Sequence, residues 1–359
     1  MRHAIGGYWG GLAAGALALA LPAFLIAPVF AQNGGGTQRL SFQISTGSTT
    51  GTYFPVGELL AEVLSHPPGV GRCESAFACG PAGLIVSTRA SEGSIANLEA
   101  VNTGAIGSGL AQADVVAMAV AGQGPFRRAG PAKNLRVIAD LFGEDMHLIA
   151  AKNAKIARVA DLRGKRVSLA SEGSGTIVTA RAVLAAYGLS DRSVIANYDT
   201  AERAAGLLQA GKLDAMFLVG GAPVNLLEPL LDSGDTVLVP IDGPGRARLL
   251  ARAPYYAAHA IAQGTYGRVA AVETVMVDAL WIADAEQPEP LIYGMLKAIY
   301  NPANRARFEA ERVGAHFIEA AAGGKSLPAP LHAGAQRFFT ESGIVKAPPL
   351  AAASRARKT

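Results

Sequence analysis

From Leu40 almost to the C-terminus, short runs rich in aliphatic and β-branched residues alternate with longer stretches in which apolar side chains recur every three or four positions. The short runs predict strands over 40–45, 84–88, 105–110, 135–141, 147–151, 166–170, 215–219, 236–240 and 272–281. Helical spacing covers 55–64, 94–101, 111–121, 176–187, 201–210 and 224–231. Prolines then open three late helices: Pro288 and Pro290 before 291–300, Pro302 before the next, and Pro328 with Pro330 before 331–341. Strands alternating with helices build a sheet covered by helices, so the fold class is α/β.

The order of these elements also divides the chain. Residues 161–239 hold their own strand–helix–strand–helix–strand cycle, and the segment after Ala258 resumes with a strand followed by helices. One lobe inserted into another reads this way: lobe 1 from 38–144 and 258–346, lobe 2 from 145–257, with the late helices strapped onto lobe 1. A chain of 359 residues suits two lobes, since single cores stop growing near roughly 250–300 residues. Residues 347–359 have little apolar surface to bury and are expected to be disordered.

Residues 1–31 carry the marks of a secretory signal: Arg2, an apolar stretch from Leu12 to Ala27, and Val29-Phe30-Ala31 before Gln32. A retained membrane anchor is the alternative, because 3–30 is uncharged and long enough to span a bilayer, although Gly11, Gly15 and Pro22 favour cleavage. A periplasmic location is therefore expected. The formal charge of +4 is spread along the chain, with a basic run only at Arg355-Ala-Arg357-Lys358, which gives no reason to expect a nucleic-acid partner. The two cysteines, Cys73 and Cys79, suit a disulfide in an oxidising compartment, a short loop worth roughly 2 kcal/mol. A metal pair is the alternative, but two thiolates with no histidine nearby do not complete a tetrahedral site.

Candidate chemistry gathers at strand-to-helix turns. Gly47-Ser48-Thr49-Thr50-Gly51-Thr52-Tyr53 links the first strand to the first helix, and its glycines and hydroxyls beside free N–H groups make an anion seat, or else an ordinary turn capped by Thr52. Gly173-Ser174-Gly175-Thr176 repeats the device after the strand at 166–170, and Glu92-Gly93-Ser94-Ile95-Ala96-Asn97 does so after 84–88. Three similar helix starts suggest one ligand between them, a carboxylate or similar anion. Gln112 at a helix entry can donate and accept at once, whereas Asp114 reads equally well as a first-turn dipole residue. Enzyme motifs fail: Gly324-Lys325-Ser326 has Glu319 where a phosphate loop needs glycine, no serine has an esterase frame, and the six histidines show no metal-type pairing. His332 reads as a helix-start packing residue. Neither a catalytic group nor a cofactor is expected.

Taken in order, Ser45-Thr46-Gly47-Ser48-Thr49-Thr50-Gly51-Thr52-Tyr53, Gly93-Ser94-Ile95-Ala96-Asn97-Leu98, Leu110-Ala-Gln112-Ala-Asp114, Asp161-Leu-Arg163-Gly164-Lys165-Arg166-Val167, Gly173-Ser174-Gly175-Thr176 and the paired cysteines resemble the TAXI family of solute receptors. That family serves tripartite ATP-independent periplasmic (TRAP) transporters. The resemblance implies a two-lobed periplasmic-binding-protein fold of type II, each lobe a mixed β-sheet flanked by helices. It also implies a small organic acid or amino acid as ligand, such as glutamate, glutamine, a dicarboxylate or a 2-oxo acid, and membrane permease subunits as partners of a monomer. On these positions the pocket would comprise Gly47, Ser48, Gly51, Thr52, Tyr53, Ser94, Asn97, Gln112, Asp114, Ser174, Gly175 and Thr176. A sensor that hands its closed form to a membrane protein is the alternative, and a periplasmic hydrolase a more distant one.

Overall fold

The computed structural model describes residues 39–69, 79–310 and 327–344. The signal segment, Cys73 and with it the cysteine pairing, Gly324-Lys325-Ser326 and the tail 347–359 lie outside the described residues. No helix among the described residues is long and apolar enough to cross a membrane.

A mixed sheet, flanked by helices, runs through the chain. Its strands are β1 (Leu40–Ser45), β2 (Leu84–Arg89), β3 (Ser108–Gln112), β4 (Leu135–Ala151), β5 (Arg166–Ser168), β6 (Ile195–Asn197), β7 (Ala215–Gly220), β8 (Thr236–Leu238), β9 (Tyr256–Ile261) and β10 (Val272–Asp284). They stand in the order β2-β1-β3-β10-β4-β7-β5-β6, with β8 on β4 and β9 on β10. The helices are α1 (Tyr53–Leu64), α2 (Ser94–Asn102), α3 (Ala113–Ala121), α4 (Thr176–Ala186), α5 (Ala201–Gln209), α6 (Glu228–Asp232), α7 (Gly243–Arg252), α8 (Glu289–Ile299), α9 (Arg305–Ala310) and α10 (Ala333–Glu341). β1 pairs in parallel with β2 and β3, and β5 with β6 and β7, each through a helical crossover, as parallel neighbours require. β4 and β10 run antiparallel to each other down the middle.

The largest departure from the pattern is β4. Gly143-Glu144-Asp145 breaks the apolar run, so the sequence predicts two strands, at 135–141 and 147–151. One strand of 17 residues passes straight through, buried at nearly every position. Its middle stays in the sheet because β10 pairs along it and β7 takes over from Asp145 onward. The expected lobe boundary at 144/145 thus falls inside β4, and that at 257/258 inside β9.

Three elements escape the periodicity for identifiable reasons. β6 has only three residues, β9 is exposed at Ala257, Ala258 and His259 while paired along one edge of β10, and α7 carries arginines and glycines with Leu249 as its main buried side chain. The helix expected at 224–231 is shortened to α6. The residues before it form a turn in which Val224 N–H donates to Tyr266 Oη at 2.9 Å.

Three apolar clusters hold the sheet, one of them around Ile149, Met216 and Leu227. Under β1, β2 and β3, Trp281 packs its ring edge against Phe42 (centroids 6.3 Å apart), with Leu60, Ile292 and Phe339 around them. Leu98, Val116, Val183 and Leu184 join α2 and α3 to α4 in a second cluster that includes Leu280 and Ile282 of β10. Leu280→Ala should therefore cost about 2–5 kcal/mol in denaturant unfolding. Ile195→Ala, at a position 62% exposed on β6, should change stability by less than about 0.5 kcal/mol.

Candidate functional site

Strand ends and helix starts meet around one cavity of about 160 Å³. The β1–α1 turn contributes Gly47, Ser48, Gly51, Thr52 and Tyr53, the entries of α2 and α3 contribute Ser94 and Gln112, and the β5–α4 turn contributes Ser174, Gly175 and Thr176. The volume is below the roughly 300–1,000 Å³ of pockets that take drug-sized molecules.

Two glycine turns close the cavity by touching backbone to backbone. Gly93, at φ 121°, holds a conformation that side chains rarely adopt, and it delivers Ile95 N–H and Ala96 N–H to Gly173 O at 3.1 and 3.2 Å. Gly173 N–H donates back to Glu92 Oε2 at 3.2 Å. A Cβ on Gly175 would collide with Gln112 Oε1 and Ser94 Oγ. The start of α2, expected to seat an anion, thus spends first-turn donors on the Gly173 carbonyl.

The hydroxyls are positioned by bonds that they accept. Thr52 does not cap α1; its Oγ1 accepts from Gly221 N–H at 3.1 Å. Thr176 Oγ1 accepts from Val219 N–H, Ser174 Oγ from Thr176 N–H and Ser94 Oγ from Gln112 N–H, each at 3.1 Å. A hydroxyl oxygen that accepts keeps its own proton to donate, so Thr52, Ser174 and Thr176 can each offer one hydrogen bond to an acceptor in the cavity.

Two predicted residues are not among those lining the cavity. Asn97 is buried and fully engaged: Oδ1 accepts from Ser45 and Ser91 at 2.6 and 2.7 Å, while Nδ2 donates to Thr46 O and Leu110 O at 2.6 and 2.7 Å. That is the full complement of a side-chain amide. Asp114 accepts from Val115 N–H (2.9 Å), Thr179 Oγ1 (3.1 Å) and Tyr256 Oη (2.6 Å), and Gln112 Nε2 donates to the same Thr179 hydroxyl at 2.9 Å. These bonds tie α3 to α4 and β9. Burial outweighs them and pushes the Asp114 carboxyl up to about 6.

Sequence reasoning missed the acids. Glu144, 2% exposed in mid-β4, lines the cavity and accepts one hydrogen bond among the described residues, from Tyr53 Oη at 2.7 Å. Burial first, then the nearby Asp114, Asp145 and Asp278 charges, push its carboxyl up to about 8 against the pull of the Tyr53 bond. Glu92 and Glu202 also line the cavity, and among the described lining residues there is no lysine, arginine or histidine. Arg181 pairs with Asp191 at 2.8 Å and lines a separate groove. Leu218, Val219, Val224 and Leu226 supply an apolar wall. A glutamate interrupting an apolar strand pattern was the one available sign of Glu144. His332 caps α10 through Nδ1, which accepts from Gly334 N–H at 3.1 Å. No group of three metal-binding side chains occurs among the described residues.

Residues 44–343 match the model of the NMT1-like family. The chain belongs to that family. Among solved structures it is similar to PhnD1 of Prochlorococcus marinus in complex with methylphosphonate, at 12% identity and a TM-score of 0.50, covering 85% of this chain and 99% of that one. It is also similar to the alkanesulfonate-binding protein SsuA of Xanthomonas axonopodis pv. citri bound to MOPS, at 18% identity and a TM-score of 0.45, covering 86% and 81%. The fold is that of the periplasmic binding proteins.

Glu144 makes folding pH-dependent. Between its ordinary value of 4.5 and about 8, the folded chain keeps a proton that the unfolded chain has lost, so stability falls as pH rises through that window. Asp114 acts with the same sign between 3.8 and about 6. Glu144→Gln should flatten the slope above pH 6 and melt higher than the parent at pH 8, read by thermal unfolding across pH 5–9.

Proposed function

We propose that this NMT1-like chain is a periplasmic solute-binding receptor that closes two lobes around a small metabolite and delivers it to a membrane transporter. The observation that carries this reading is the small cavity where the β1–α1 and β5–α4 turns converge, lined by donor hydroxyls and glycine backbone. No histidine stands among its described lining residues to activate a serine, which argues against the hydrolase. With these lobe bounds β4 and β9 are the strands that cross between the lobes, and Cys73 and Cys79 pair in the oxidising compartment. The TAXI-type motifs support TRAP permease subunits as the partners.

The electrostatics rank the ligands. A carboxylate suits the hydroxyl protons of Thr52, Ser174 and Thr176. A second anionic group would meet Glu92, Glu144 and Glu202 with no cation among the described lining residues to receive it. A protonated amine, by contrast, finds the buried and under-bonded carboxyl of Glu144. An amino acid therefore fits better than a dicarboxylate or a 2-oxo acid.

Calorimetry at pH 7 with alanine, glutamine, glutamate, succinate, 2-oxoglutarate and methylphosphonate tests this ranking. Alanine and glutamine, which carry an amine and a single carboxylate, should bind and release a proton as Glu144 ionises, so the heat should vary with the ionisation enthalpy of the buffer. Glu144→Gln should abolish that release. Tightest binding by methylphosphonate or succinate would replace the amine reading with an oxyanion receptor. Separately, Ser174→Ala and Thr176→Val should each weaken the best probe about tenfold, the loss of one hydrogen bond to a charged group.

A further inference from the structure

One anion is already seated in the cavity, and it belongs to the chain itself. Glu202 stands in the first turn of α5, far along the sequence from the β1–α1 turn. Its Oε1 accepts from both Ser48 Oγ and Thr50 Oγ1, the latter at 2.6 Å. Thr50 N–H donates to Ser48 Oγ at 3.2 Å, which holds that oxygen while its proton goes to the carboxylate. All three side chains line the cavity.

Local structure accounts for only part of this placement. Thr200 already caps α5, accepting from Arg203 N–H at 3.5 Å, and the adjacent cation, Arg203, pairs with Asp199 at 3.1 Å. Partial burial pushes the Glu202 carboxyl up, but the Ser48 and Thr50 hydroxyls, helped by its own backbone N–H and the Thr200 hydroxyl, outweigh it and hold the group below its ordinary value. Two hydroxyls from one turn, grasping a carboxylate that arrives from a remote helix, do for Glu202 what they would do for the acid group of a solute.

We propose that the Ser48–Thr50 hydroxyl pair is a carboxylate site that Glu202 occupies from within the chain, and that Glu202 thereby excludes from the cavity solutes carrying a second carboxylate. The identity of the natural solute rests on the receptor reading above; the occupied site does not.

Acetate is the probe that separates the two. Glu202→Ala vacates the pair, so acetate should raise the melting temperature of this variant saturably, beyond the response of the parent to acetate and of the variant to chloride at equal ionic strength. Adding Ser48→Ala should remove the gain. Glu202→Gln, which fills the same space without charge, should melt near the parent and ignore acetate, which guards against a response due only to loosened packing. In calorimetry, the affinity for succinate relative to alanine should rise at least about tenfold in Glu202→Ala, on the scale of one charge-assisted hydrogen bond. Equal acetate responses in the parent and Glu202→Ala, or none in the variant, would overturn the site. Loss of alanine binding in both Glu202 variants would overturn its role as an excluder and make it a ligand-holding group. A Glu202→Ala chain that responds to acetate while the parent binds no amine probe keeps this site and sinks only the amine reading.

Discussion

β4 has to stay in the sheet along its whole length, because β10, β7 and β8 all draw their hydrogen bonds from it. A strand so paired and so buried cannot bend out to give its polar residues water. Glu144 and Asp145 are therefore carried into the interior at the middle of the molecule. Asp145 meets His259 Nδ1 at 2.6 Å. Glu144 has the Tyr53 hydroxyl and, on its other side, the cavity. The cost of burying a carboxyl is thus converted into chemistry: a proton held near neutrality, at a point where a solute could displace it.

The cavity exists because two turns approach more closely than side chains would allow. The Gly173 carbonyl fills the role of an anion at the start of α2, while Gln112, Thr179, Asp114 and Tyr256 form a chain of hydrogen bonds alongside. Of the helix starts that looked alike in sequence, one is consumed in closing the cavity. In the β1–α1 turn, Ser48 and Thr50 are met by Glu202 while Thr52 keeps its proton to donate, as do the hydroxyls at the start of α4. Identical local chemistry has been put to different uses by what packs opposite.

This difference marks what was legible beforehand. The α/β class, β1 to its exact ends, α2 and α4 to within a residue or two, and the gathering of the β1–α1 and β5–α4 turns followed from periodicity and from glycine and hydroxyl spacing, which are local properties. The continuity of β4 did not, because it is imposed by partners as distant as Val277 and Gly220. Asn97 and Asp114 sat in the right motifs, but their capacity is used up by Ser45, Thr179 and Tyr256, which no spacing rule connects to them. Nothing in the sequence singled out Glu202, since only the tertiary fold brings its carboxylate across to Ser48.

The absence of a side chain at residue 175 limits how this joint can be adjusted over evolutionary time. A methyl group there would run into Gln112 Oε1 and Ser94 Oγ, so a larger residue would have to displace the amide that holds Thr179 and the hydroxyl beside it. The strength of the join between the β5–α4 turn and the starts of α2 and α3 is thus free to drift only through its periphery, at pairs such as Glu92 with Gly173 and Gln112 with Thr179.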